Sequence, residues 1–133
     1  MPIAHWCILV AVLAPYFLSV AARSQTTRSG YVQDPRAYSD TLGGWHRRAH
    51  LAHLNAFEAI PPLLAGVMVA ELAQAPRLPI DALASLYIVC RAMHAAFYIA
   101  DRPMLRSHAW RLGIVCAIGL FVVAGMYGRG AGG

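Results

Sequence analysis

Arg48, Asn55, Glu58, Arg91, His94 and Tyr98 stand in stretches otherwise built largely from Ala, Leu, Ile, Val and Phe. The first three belong to Arg48-Ala-His-Leu-Ala-His-Leu-Asn55-Ala-Phe-Glu58-Ala-Ile-Pro-Pro62. At about 100° per residue they share one helical face, while His46, His50 and His53 fall roughly opposite. One helix therefore carries two polar stripes. Further along, Tyr87, Arg91, His94, Tyr98 and Asp101 stay within roughly 80° of one another at the same spacing, a second polar seam. Guanidiniums, a carboxylate, an imidazole and a phenol at similar depth exceed what helix packing requires, and a pocket for a charged small molecule accounts for them together. Interhelical hydrogen bonding alone is the other reading the residues leave open, since a membrane bundle must satisfy its polar groups internally.

The elements that position these groups are apolar. The chain is 133 residues long, 59% hydrophobic and only 13% charged, with positive mean hydropathy. Apolar runs of about 20 residues recur, each long enough at ~1.5 Å per residue to cross a ~30 Å hydrocarbon core. The expectation is an all-α integral membrane four-helix bundle forming one domain, with spans at about 3–22, 45–73, 80–100 and 109–127. The first run ends in a form that resembles a signal-peptide cleavage site, Val20-Ala-Ala22. It lacks a basic leading segment and three further spans follow, so a retained helix containing Pro15 fits better.

Between the first two spans lies the longest polar stretch, Arg23 to Gly44, read as a loop. Gln74-Ala-Pro-Arg-Leu-Pro79 reads as a turn, Asp101 to Ser107 as a short loop, and the glycine-rich end as a frayed tail. All eleven basic residues are arginine and the net charge is +5. Placed at span ends, they fit lipid headgroups and topology better than a nucleic-acid surface. Arg23, Arg28, Arg36, Arg47, Arg48, Arg102, Arg106 and Arg111 fall on one side and Arg77 and Arg129 on the other. The positive-inside rule then puts both termini on the non-cytoplasmic side.

Cys7, Cys90 and Cys116 lie inside apolar runs without metal or redox spacing and read as small buried hydrophobes. The His46, His50 and His53 series has a spacing that could line one face around a metal, but no carboxylate joins it there, and no metal is expected. Trp6, Trp45, Trp110, Tyr16, Tyr31, Tyr38 and Tyr127 read as interfacial anchors. Glu71 reads as a snorkelling or solvated carboxylate, and His5 and His108 as interfacial histidines without a partner.

Two blocks carry a family resemblance. Ala52-His-Leu-Asn55-Ala-Phe-Glu58-Ala-Ile-Pro-Pro62 is similar to the Ala-x-x-Asn-x-x-Glu-x-x-x-Pro signature of the MAPEG proteins, membrane-associated proteins in eicosanoid and glutathione metabolism, and specifically to their short bacterial members. Arg91-Ala-Met-His94-Ala-Ala-Phe-Tyr98-Ile-Ala-Asp101-Arg-Pro103-Met-Leu-Arg106-Ser107 supports it with the family's order and spacing, and the four-span layout covers the chain.

The resemblance implies a homotrimer in the bacterial inner membrane, with glutathione bound at subunit boundaries and a lipophilic small-molecule substrate reaching it from the membrane lipids. It implies that Asn55 and Glu58 hold the tripeptide, with Arg91, His94 and Tyr98 as the third-helix wall and Arg106 with Ser107 where the thiol is activated. A guanidinium beside a thiol favours the thiolate, the nucleophilic form. Arg106, Ser107 and Tyr98 are thus the expected catalytic set, and Arg48, Asn55, Glu58, Arg91 and His94 the expected glutathione-binding set.

The chain departs from the family pattern at Leu51, where family members carry an arginine that binds a glutathione carboxylate, and at Leu54, basic in some members. Arg48 lies on the Asn55 face about two turns before it. A carboxylate left without its arginine loses about 1.5–3 kcal/mol. The activity expected is a glutathione-dependent transferase or peroxidase. The alternatives are a non-catalytic protein of the same fold binding a lipid or other anion, favoured by Leu51, and a small multidrug transporter using Glu58. The last predicts a dimer and leaves Arg91, Arg106 and Asn55 without work.

Overall fold

A computed structural model describes residues 1–24 and 34–128. Arg28, Tyr31, Arg129 and the glycine-rich tail lie outside the described residues. The helices are α1 (Ile3–Ala22), α2 (Pro35–Asp40), α3 (Gly44–Glu58), α4 (Ile60–Leu72), α5 (Arg77–Ile99) and α6 (Pro103–Tyr127). Among the described residues there is no strand. Four stretches are long and apolar enough to cross a membrane: α1, α3 with α4 (Gly44–Leu72), α5 and α6. The protein is a multi-pass, all-helical membrane bundle.

Short polar segments fold more than hydropathy alone indicates. Asp34 caps α2, its Oδ1 accepting from Ala37 N at 3.1 Å, and Pro35 supplies the preset φ of a first helical residue, so part of the polar stretch after α1 is helical. Pro103 does the same for α6, which begins well before the apolar run at Ala109. Arg106 and Ser107 therefore sit on the first turns of a helix, not in a loop as the polar composition of 101–107 suggested. Likewise α5 starts at Arg77, inside the stretch read as a turn.

The second span is interrupted at Ala59. Pro61 and Pro62 lack the N–H groups that would bond back to Phe57 and Glu58, so α3 ends and α4 begins afresh. The break is held by Tyr87, fully buried on α5, whose hydroxyl donates to the Ala59 carbonyl at 2.6 Å.

The apolar core lies on the α4 side of that break. Leu63, Val67 and Ala70 of α4 meet Ile80, Ala84 and Tyr87 of α5, Ala117, Leu120 and Ala124 of α6, and Ala4, Cys7 and Ala11 of α1. Gly66 lets α4 approach α6 closely, since a Cβ there would stand 3.0 Å from Leu120 Cβ. All three cysteines are buried and free, as their apolar settings suggested. Within α3 itself only Ala49 and Ala52 are buried, and polar contacts join it to its neighbours.

Candidate functional site

The two stripes of α3 face different neighbours. On one, His53 donates from Nδ1 to the carbonyl of Pro15 in α1 at 2.6 Å. His50 and His53 have ring centroids 5.8 Å apart, and Phe57 meets both His53 and Tyr16 edge-on. Tyr16 is thus engaged with a neighbouring ring. Among the described residues no three His, Cys, Asp or Glu side chains converge as a metal set would.

The other stripe faces α5, which runs antiparallel to α3. Contacts recur there at intervals of whole turns: Ala59 with Tyr87, Asn55 with Arg91, and Arg48 with Ile99. Arg91 Nη2 donates to both the side-chain and main-chain oxygens of Asn55, the latter at 3.2 Å. Asn55 in turn donates from Nδ2 to Glu58 Oε2, a long contact at 3.5 Å, and Glu58 is exposed. Arg48 donates from Nε to the Ile99 carbonyl at 3.0 Å, placing a cation on the negative end of α5.

Arg91, His94 and Tyr98 belong to one face of α5, so His94 and Tyr98 continue the seam towards the start of α6. His94 donates from Nδ1 to the Arg106 carbonyl at 3.2 Å. This bond ties a side chain of α5 to the first turn of α6 at the corner between them. The Arg106 guanidinium carbon sits 4.5 Å from the Tyr98 ring centroid, a cation–π distance, and the Tyr98 and His94 rings meet edge-on at 5.8 Å.

The expected residues therefore form two linked groups, Asn55–Glu58–Arg91 and His94–Tyr98–Arg106, with Arg48 beyond them at the end of α5. Ser107 follows Arg106 on α6 and makes no side-chain hydrogen bond among the described residues. Two nitrogens in the seam, Arg91 Nε and His94 Nε2, are buried without a hydrogen-bond partner among the described residues. Tyr87, which stands on the same seam, was not among the expected site residues. Its role as the brace of Ala59 follows from the proline pair and a phenol one turn before Arg91.

These groups suit a ligand bearing carboxylates, an amine and amide groups. Guanidiniums take carboxylates, Glu58 takes an ammonium, and Asn55 both donates and accepts. The partly buried Arg106 lies where a thiol beside it would be held as thiolate.

The model of the MAPEG family matches residues 3–126 of the chain. Neither a curated protein nor a solved structure matches it.

Proposed function

The chain belongs to the MAPEG family, which includes glutathione transferases and peroxidases, and from that premise we propose that it is a membrane-bound glutathione-dependent transferase or peroxidase. Its substrates are lipophilic electrophiles or hydroperoxides. The observation that carries this reading is the corner where Arg106 lies over the Tyr98 ring while His94 holds the Arg106 carbonyl. A cation fixed between an aromatic face and a helix start is preorganised to stabilise an anion.

Bound glutathione supplies the thiolate that attacks the electrophile or peroxide. Arg106 holds the negative charge on sulfur, and Ser107 or the Tyr98 hydroxyl donates a hydrogen bond to it. Asn55 and Glu58 engage the peptide backbone and amino end, and Arg48 engages a carboxylate in place of the arginine absent at Leu51. Arg91 fixes the Asn55 amide, and His94 fixes the turn that carries Arg106. Both thus position groups that touch the tripeptide.

Glu58 is exposed on a single chain, within a span where a carboxylate needs protein or water around it. A homotrimer in the bacterial inner membrane, with the arginine-rich end in the cytoplasm and both termini outside, would cover it and complete the site. Mass measurement in detergent tests this: a dimer would favour the transporter reading instead.

The direct experiment is the ultraviolet thiolate absorbance of glutathione added to the purified protein at neutral pH. A band present in the wild type and lost in Arg106→Ala, with the melting curve unchanged, is the expected result. Unchanged activity in Arg106→Ala would sink the assignment. No band and no calorimetric binding would favour the second reading, a non-catalytic ligand-binding member, for which Leu51 is the supporting residue.

A further inference from the structure

The histidine stripe of α3 takes no part in the thiol chemistry, and its character changes along its length. His46, His50, His53 and Phe57 recur at three- and four-residue intervals on one face. Deepest in the span, Phe57 and Tyr16 are both exposed and meet edge-on, so apolar rings face the lipid. His53 is tied to the Pro15 carbonyl, and the His50 ring follows it. Above them the stripe turns cationic. His50 lies within electrostatic reach of Arg23 at the end of α1 and of Arg47 and His53 on α3, with Asp40 the one carboxylate in that set among the described residues. Arg47 is exposed and forms no ion pair or side-chain hydrogen bond among the described residues, and half-buried His50 forms no hydrogen bond there either.

The depth of these groups decides what meets them. At ~1.5 Å per residue the 29 residues of Gly44–Leu72 reach about 43 Å, which is some 13 Å, or about nine residues, more than a ~30 Å hydrocarbon core. The surplus is the polar start of α3. The 20 residues of α1 are just enough to cross, and that helix ends with Arg23 beside His50, so the headgroup layer begins at this level. Trp45, exposed and stacked on the His46 ring at 3.7 Å, is the residue type that sits there.

We propose that the corner between α1 and α3 holds one anionic phospholipid of the arginine-rich leaflet. Its phosphodiester lies between Arg23, Arg47 and His50, and a chain runs down over the Tyr16 and Phe57 rings. The phosphate oxygens accept from the guanidiniums and from a His50 N–H. A zwitterionic headgroup would bring its own cation into a corner that is already positive, whereas phosphatidylglycerol brings none. The lipid rests on the outside of the bundle against exposed side chains, on the face of α3 roughly opposite Asn55 and Glu58. It is therefore separate from the proposed thiol site.

The test reads Trp45 fluorescence in nanodiscs whose phospholipids carry brominated chains as quenchers. Trp6 and Trp110, both exposed, are replaced by Phe to leave Trp45 alone, and a companion protein keeps Trp110 alone at the start of α6. An arginine near the membrane surface contributes about a fivefold preference for anionic lipid, so with Arg23 and Arg47 brominated phosphatidylglycerol should quench Trp45 at a mole fraction about twentyfold below brominated phosphatidylcholine. Arg47→Gln should reduce that preference to about fivefold and Arg47→Lys should keep it, with the glutathione thiolate band unchanged in both. Equal quenching by the two lipids would overturn the proposal. So would the same preference at Trp110, which would mean diffuse attraction to the arginine-rich end, or release by free glycerol phosphate, which would mean a phosphate site in place of a lipid site. Native mass spectrometry of the unsubstituted protein reads the same point without any variant: one phosphatidylglycerol per chain should survive conditions that strip phosphatidylcholine, and loss of both together would overturn the proposal.

Discussion

At the end of the bundle where α1 begins, Glu71 meets His5 Nε2 at 2.9 Å and Arg77 Nη1 at 2.5 Å, and Asp81 Oδ1 accepts the Ala4 N–H at 2.8 Å. Glu71, Arg77 and Asp81 each have a partner from another part of the chain, and α1 receives at its first turn the acceptor that Pro2 cannot provide. At the arginine-rich end, Arg91 and His94 each keep a nitrogen unmatched among the described residues, and Glu58 is left exposed. Both regions place polar groups in apolar helices. The first is matched by contacts between helices, whereas the second keeps polar groups unmatched among the described residues, which is what the proposed binding role uses.

Substitutions should separate the two. The largest expected effect is at Arg91: Arg91→Gln loses the charge-assisted bond that fixes the Asn55 amide, and glutathione affinity measured by calorimetry should fall about tenfold to a hundredfold because Asn55 is no longer held in place for the tripeptide. Equal affinity in the variant would move Arg91 to the structural class. Next, Asp81→Ala should lower unfolding stability by about 0.5–2 kcal/mol, as loss of a helix cap does, with the thiolate band unaltered. A lost band would show that the two ends are coupled. Tyr87→Phe should cost about 0.5–1.5 kcal/mol in the same melts, because Ala59 loses one hydrogen bond. Glu71→Gln should cost least, about 0.2–1 kcal/mol, since its contacts are partly solvated. Salt should erase that difference, and a salt-independent loss would contradict the partly solvated assignment.

The all-helical membrane class was legible because runs of about 20 apolar residues have few other uses. The two stripes of α3 were legible too, since helical spacing alone separates His53 from Asn55, and the structure sends them to α1 and α5 respectively. The pairing of His5 with Glu71 was not. The two are 66 residues apart, and no local spacing relates them. Hydropathy also hid the start of α6. Arg106, Ser107 and His108 lower the apolar average over turns that are nonetheless helical, although Pro103 is a residue type favoured at a helix start. What local periodicity can reveal is a face; which neighbour that face meets depends on the whole bundle.

The contacts between α3 and α5, at Ala59 with Tyr87, Asn55 with Arg91 and Arg48 with Ile99, also act as a key for assembly. Turning one helix by a single residue position would point each polar group about 100° away from its mate. All three contacts would then fail together, in a medium that offers no substitute partners. Misaligned insertions are thereby penalised at three places at once, so atoms of the proposed site also proofread the alignment of the spans that carry it.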